Sequence, residues 1–220
     1  MTTNILNRNF SIEKAYKAQL ALSKRIDFTD RLPEKISYVA GVDVAYSGEW
    51  AVGAVAIMDY SALKIIESKT ALCRVTFPYI PTLLSFREIP PAISCIRKIE
   101  IQPDVFLVDG HGCAHPRGCG FASHLGVVLG RPTIGVAKGR LIGQIEDYNG
   151  EVAYLRHNGK VIGAVLRVNR EGRPIYVSVG NMVSLERAVS IVKHCIRCGN
   201  IPEPIRAAHK IATEERRRIP

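Results

Sequence analysis

Asp43 stands inside the apolar segment Val42-Asp43-Val44, and Asp109 directly follows Phe106-Leu107-Val108. An anion in such a setting is costly to desolvate unless a partner meets it. Two carboxylates brought to ~4 Å would repel by about 4 kcal/mol at an effective dielectric of 20, and a divalent cation between them removes that penalty. Carboxylate oxygens are hard ligands that favour Mg2+ or Mn2+, and Glu88 in Ser-Phe-Arg-Glu could add a third oxygen. From spacing alone, a turn cap or an arginine partner explains the two aspartates equally well. Lys138, after the run Thr133-Ile134-Gly135-Val136-Ala137, reads by itself as a solvated strand end, and Tyr79 as a core aromatic. His111, Cys113, His115 and Cys119 offer soft ligands, with Cys195-x-x-Cys198 as a possible second half. A structural zinc site is usually signalled by two paired Cys or His motifs, however, and only one CxxC is present. That pair lies in a helical pattern, where positions i and i+3 simply share a face, so it reads as ordinary helix.

The elements that must position these groups are legible as changes of period. Residues 11–26 read as an amphipathic helix with Ile12, Tyr16, Leu20 and Ile26 near one side and Ser11 as its N-cap. Residues 38–46, 51–58 and 63–72 are rich in β-branched and small apolar side chains and read as an antiparallel meander. Residues 83–101 are helical in pattern, with a break or restart expected at Pro90-Pro91, because neither proline can donate a backbone N–H. Residues 104–109 and 133–137 read as strands buried on both faces, separated by a helix over 120–129. A hairpin is expected over 151–168 around His157-Asn158-Gly159-Lys160, since Asn-Gly suits a type I′ turn. A strand at 175–179 and a helix over 184–198 complete the pattern. If the Asp43 and Asp109 strands are parallel neighbours, both carboxylates lie near the middle of a mixed sheet flanked by helices.

With 47% hydrophobic and 23% charged residues, the 220-residue chain has the composition of an ordinary globular protein, neither disordered nor fibrous. No repeat or linker interrupts it, which predicts a single domain over residues 1–220. Thirty Lys and Arg against twenty Asp and Glu leave a net charge of +10, which favours a polyanionic partner, nucleic acid before membrane. The longest apolar run, residues 51–58, is far short of the ~20 residues that span a bilayer. Residues 1–10 are polar without a signal-like apolar stretch, so a cytoplasmic location is expected. Six cysteines are too sparse for a disulfide scaffold.

Four further segments carry a resemblance. They are Phe-Pro-Tyr79-Ile80-Pro81-Thr-Leu-Leu-Ser-Phe-Arg-Glu88, Val-Asp109-Gly-His111-Gly-Cys-Ala-His115-Pro-Arg117, Ala-Ser-His124-Leu-Gly and Pro-Thr-Ile-Gly-Val-Ala-Lys138. With Ala-Gly-Val-Asp43, and in this order, the chain resembles the endonuclease V family from Ala18-Gln19 to Pro202-Glu-Pro-Ile-Arg-Ala-Ala-His209. The resemblance implies an α/β, ribonuclease H-like fold and a Mg2+-dependent nuclease, with Mn2+ able to substitute, that initiates repair of deaminated adenine. Family members cut the second phosphodiester bond 3′ to deoxyinosine and leave a 3′-hydroxyl and a 5′-phosphate. Matched by motif, Asp43, Glu88 and Asp109 are the metal acids and Lys138 holds the nucleophile or phosphate. Tyr79-Ile80-Pro81 is the wedge that opens the duplex, and His115 and His209 support the acids or contact phosphate. Gly110, Gly112 and Gly120 would let backbone amides approach the flipped base, which in hypoxanthine presents an acceptor at position 6 where adenine presents a donor.

The expected partner is inosine-containing DNA, acted on by a monomer. Inosine in RNA is the alternative substrate, and a non-enzymatic module using Arg206, Lys210 and Arg216-Arg217-Arg218 is the alternative class. Two departures bear on substrate range. Thr82 replaces the glycine common after the wedge, and Val179-Gly180-Asn181-Met182-Val183-Ser184 replaces a Pro-Gly-His-containing loop.

Overall fold

A computed structural model describes residues 11–168 and 172–219. The polar stretch 1–10, on which the absence of a signal sequence was read, lies outside them. The meander forms as expected from β1 (Tyr38–Ser47), β2 (Trp50–Asp59) and β3 (Ile65–Arg74). β4 (Val105–Asp109) lies parallel to β1, and β5 (Thr133–Ala137) lies parallel to β4. Beyond β5 the sheet continues antiparallel through β6 (Gln144–Ile145), β7 (Val152–His157), β8 (Lys160–Leu166) and β9 (Ile175–Asn181). The order is β3-β2-β1-β4-β5-β9-β8-β7-β6, a mixed, ribonuclease H-like sheet. The β7–β8 hairpin turns on Asn158 and Gly159, both at positive φ (48° and 74°), as a type I′ turn requires.

Helices α2 (Ser85–Ile96) and α3 (Phe121–Leu129) cover one face, and α4 (Leu185–His194) and α5 (Glu203–Arg216) the other. The pleat sorts the strand residues between them. Val39, Val105, Leu107, Ile134 and Val136 pack with Ile191, Val192 and Ile205. Their sequence neighbours Ala40, Val42, Phe106 and Val108 pack with Ala92, Cys95, Phe121 and Leu125. Side chains that alternate in this way need both faces covered, which is why these strands read as continuous apolar runs.

Helices α1 (Ile12–Ser23), α2 and α5 differ from expectation, and α4 ends at His194, so that Cys195 is its C-cap and Cys198 lies beyond the helix expected to hold both. Helix α1 has its Ser11 cap, with Lys14 N–H donating to the hydroxyl at 3.3 Å, but it buries Ala15 and Gln19 and leaves Ile12 and Leu20 exposed. Its inner face was misread because a glutamine with every polar atom bonded can be buried. Helix α2 runs unbroken through Pro90 and Pro91. Two intrahelical bonds are lost there, yet the helix is pressed onto β2, where a Cβ on Gly53 would overlap the Pro91 carbonyl. Packing outweighs propensity at this point. Finally, residues 203–216 form a helix that the periodicity did not reveal. Ile205, Ala208 and Ala212 are its buried stripe, and Gly41 of β1 gives it room, since a Cβ there would overlap the Pro204 carbonyl.

Candidate metal centre and adjoining cavity

The β1–β4 register ends at Val42 opposite Val108, so the next residues of the two strands, Asp43 and Asp109, fall side by side at the carboxyl end of β4. By the pleat both share the face of Val39 and Leu107, the face that α5 covers. There His209 donates or accepts through Nδ1 with Asp43 Oδ2 at 2.7 Å. One ligand atom from each of Asp43, Asp109 and His209 lies within 4.8 Å of the others, the one such group among the described residues. Lys138, two residues past the Val136 partner of Asp109, places Nζ 2.5 Å from Asp109 Oδ2. Burial, and then the charge of Asp109, hold the Asp43 carboxyl above its usual range.

Glu88 reaches the same place from the opposite face, in the first turns of α2, and is outside the 4.8 Å group. Burial pushes its carboxyl up to about 8, with Asp43 and Asp109 adding to the shift. Asp43 and Glu88, both held protonated to higher pH by burial and by their acidic neighbours, stand with Asp109 beside an imidazole, and this donor set fits a divalent cation.

Next to Glu88 is a cavity of about 170 Å3, lined among others by Gln19, Thr82, Ser85, Gly110, His111 and Gly120. His115 also lines it and is buried, and burial together with the nearby Arg117 brings its ring down to about 4. The ring is therefore neutral at pH 7. The two histidines expected to act alike are thus separated, His209 among the acids and His115 in the cavity wall.

Of the three glycines, Gly110 and Gly120 line the cavity and Gly112 does not. Their amides are already donated, Gly110 to Val136 O at 3.1 Å, Gly112 to Ser178 Oγ at 2.9 Å and Gly120 to Gly112 O at 2.9 Å. Gly112 and Gly120 also permit close backbone packing, since a Cβ on Gly112 would overlap the Val179 carbonyl and one on Gly120 the His111 carbonyl. Gln19, Ser85, His111 and Phe121 were not anticipated in this wall. The only sequence signal for Gln19 is a polar residue four positions after Ala15, on the helix face that proves to be buried.

Tyr79, Ile80 and Pro81 lie on the loop between β3 and α2. Tyr79 is 68% exposed, which excludes its reading as a core aromatic. The base of the loop is anchored where Arg87 donates to Phe77 O at 3.2 Å and the Phe77 ring stacks on Phe86, centroids 5.3 Å apart. At its end, Leu83 N–H donates to Ile80 O at 3.0 Å, closing a turn with Pro81 second and Thr82 third. Thr82 has φ +69°, a conformation that glycine adopts freely and that a β-branched residue holds only when its surroundings impose it.

The second departure is structural. Asn181 is buried, accepts from Asp27 N–H at 2.9 Å and donates to Gly126 O at 3.2 Å, tying the segment after α1 to the end of α3.

The endonuclease V family model matches residues 20–210. An endonuclease V from Thermofilum pendens is 41% identical over 214 residues, covering 97% of this chain and 92% of that protein. The crystal structure of an endonuclease V from Streptomyces avermitilis superposes with a TM-score of 0.87 at 35% identity, covering 93% of this chain and 92% of that one. A Ciona intestinalis endonuclease V superposes with a TM-score of 0.86 at 33% identity, covering 95% of this chain and 99% of that one. It was solved in complex with a 24-mer DNA containing an inosine followed by a ribo-adenosine.

Proposed function

Since the chain belongs to the endonuclease V family, we propose that it is an inosine-directed endonuclease that hydrolyses the second phosphodiester bond 3′ to deoxyinosine in DNA, leaving a 3′-hydroxyl and a 5′-phosphate. The observation that carries this reading is the cluster of Asp43, Asp109 and His209 beside a cavity lined by Glu88, whose carboxyl is within electrostatic reach of both aspartates. One part can bind a cation at a phosphate while the other takes up a base. Asp43, Asp109 and His209 would hold the cation and Glu88 would complete its surroundings. A Mg2+ ion there, or Mn2+ in its place, supplies positive charge to the phosphate and lowers the pKa of water.

The remaining work belongs to the chain itself. Lys138 fixes the Asp109 carboxylate and brings a second positive charge toward the anionic substrate. The neutral His115 and the apolar part of the cavity exclude water from an inserted base. Tyr79, stiffened by Pro81, is the wedge: a ring of this kind stacks on an exposed base for roughly 1–3 kcal/mol. We read the chain as a single domain, a monomer acting in the cytoplasm. Among the described residues no helix is long and apolar enough to cross a membrane.

The test uses matched 5′-labelled duplexes and single strands, in DNA and RNA, with one inosine each and Mg2+ present. A nick one nucleotide beyond the inosine's own 3′ phosphodiester, absent from adenosine controls, is the expected product. Cleavage at another position, or binding without cleavage, would overturn the reading. The RNA arms are included because the Ciona intestinalis relative was solved with a ribonucleotide after the inosine.

A further inference from the structure

The residue with positive φ beside Tyr79-Ile80-Pro81 is held by three side-chain contacts from elsewhere in the chain, and this arrangement deepens the wedge reading on which it rests. Gln19, fully buried in α1, donates through Nε2 to Thr82 O at 3.0 Å and to Cys119 O at 2.7 Å. Arg117, in the loop after β4, donates through Nη2 to Thr82 O at 3.1 Å and also to the Thr82 hydroxyl. The same guanidinium donates through Nε to Gln19 Oε1 at 2.5 Å and lies 4.1 Å over the Tyr16 ring. Arg117 itself does not line the cavity.

We propose that Arg117 and Gln19 form a latch that holds the Ile80–Leu83 turn, and through it the Tyr79 ring, in the posture needed to open a duplex. Arg117, Gln19 and Thr82 are then positioning residues for the wedge. A planar donor fork suits the task, because its Nε meets Gln19 Oε1 while its Nη2 meets Thr82, tying the two residues together, and lysine cannot reproduce that geometry. The threonine hydroxyl gives this chain an acceptor that a glycine at the same turn position lacks. A left-handed threonine is thereby fixed by donors that a more flexible turn would not engage. Base extrusion needs such help in paired DNA and much less in a single strand, so the latch acts on one substrate and not on the other.

The experiment compares Arg117→Met with the unaltered protein in single-turnover cleavage of inosine-containing duplex and of the same lesion in single-stranded DNA. The duplex rate is expected to fall at least ~5-fold while the single-strand rate stays within ~2-fold. In the double variant with Tyr79→Ala, the duplex-to-single-strand ratio is expected to be no lower than in Tyr79→Ala alone, because both changes remove one device. Hydrogen exchange gives a readout without activity: the Leu83 amide should exchange at least ~10-fold faster in Arg117→Met, with β1 and β4 amides unchanged. Equal loss on both substrates, or unchanged exchange at Leu83, overturns the latch. If Tyr79→Ala lowers the ratio and Arg117→Met does not, the latch alone fails. If Tyr79→Ala leaves the ratio unmoved, the wedge itself fails, and the latch with it.

Discussion

Asp43, Asp109 and His209 each come from a different element. Asp43→Asn or Asp109→Asn keeps the side-chain volume and loses the charge, so cleavage with Mg2+ is expected to fall by roughly two to three orders of magnitude with circular dichroism unchanged. His209→Ala should approach the aspartate variants at low metal concentration and recover in part at high concentration, as a lost ligand would. Near-normal rates in both aspartate variants would remove them from the chemistry. Glu88 offers a test on stability. Its folded-state value of about 8 lies above the ordinary carboxylate value of 4.5, so between those pH values the folded protein binds more protons than the unfolded chain. Stability then falls as pH rises through that window and is fully retained below it. In EDTA, Glu88→Gln should therefore match the unaltered protein near pH 4 and melt at a higher temperature by pH 8, an advantage that divalent cation reduces. Thermal melts across pH 4–8 decide this, and an advantage that shrinks toward pH 8 would contradict it.

At the scale of elements, the contact of α5 with β1 depends on Gly41. Gly41→Ala would drive a methyl into the Pro204 carbonyl, a contact that backbone cannot evade by a rotamer change, and overpacking of this kind costs about 1–3 kcal/mol. A lowered urea midpoint and reduced cleavage are expected together, because His209 rides on the same helix. Gly139→Ala meets open space and should change the midpoint little. The buried strands and the Asn158-Gly159 hairpin were legible because each depends on local pattern, an apolar run or two adjacent positions of positive φ, whereas the parallel β1–β4 pairing entered the sequence reading only as a condition. Helix α5 was not legible, because its stripe of Ile205, Ala208 and Ala212 is thin and most of its other residues are charged or polar. The site divides along the same line. Acids at the ends of apolar runs could be found from sequence, and so could the loop of Tyr79, Ile80 and Pro81 once its motif was matched. The cavity wall could not, since Gln19 and Phe121 come together only through folding.

For the molecule as a whole, the net charge of +10 implies that phosphate contacts displace counterions. The affinity of an Asp109→Asn variant for inosine-containing duplex, followed by fluorescence anisotropy, is expected to fall steeply between ~50 and ~200 mM salt. A flat dependence would remove the basic surface from recognition. The sheet order that sets Asp43 beside Asp109 also joins parts of the chain that are far apart, and the contact between Asp43 and His209 spans 166 residues. Distance along the chain is also delay during synthesis. The ribosome delivers both aspartates well before the histidine that faces them, and α5 can dock on β1 only after that segment has emerged. An unfinished chain thus carries Asp43 and Asp109 without the imidazole that faces Asp43 in the folded protein, so the cluster of the three is assembled last.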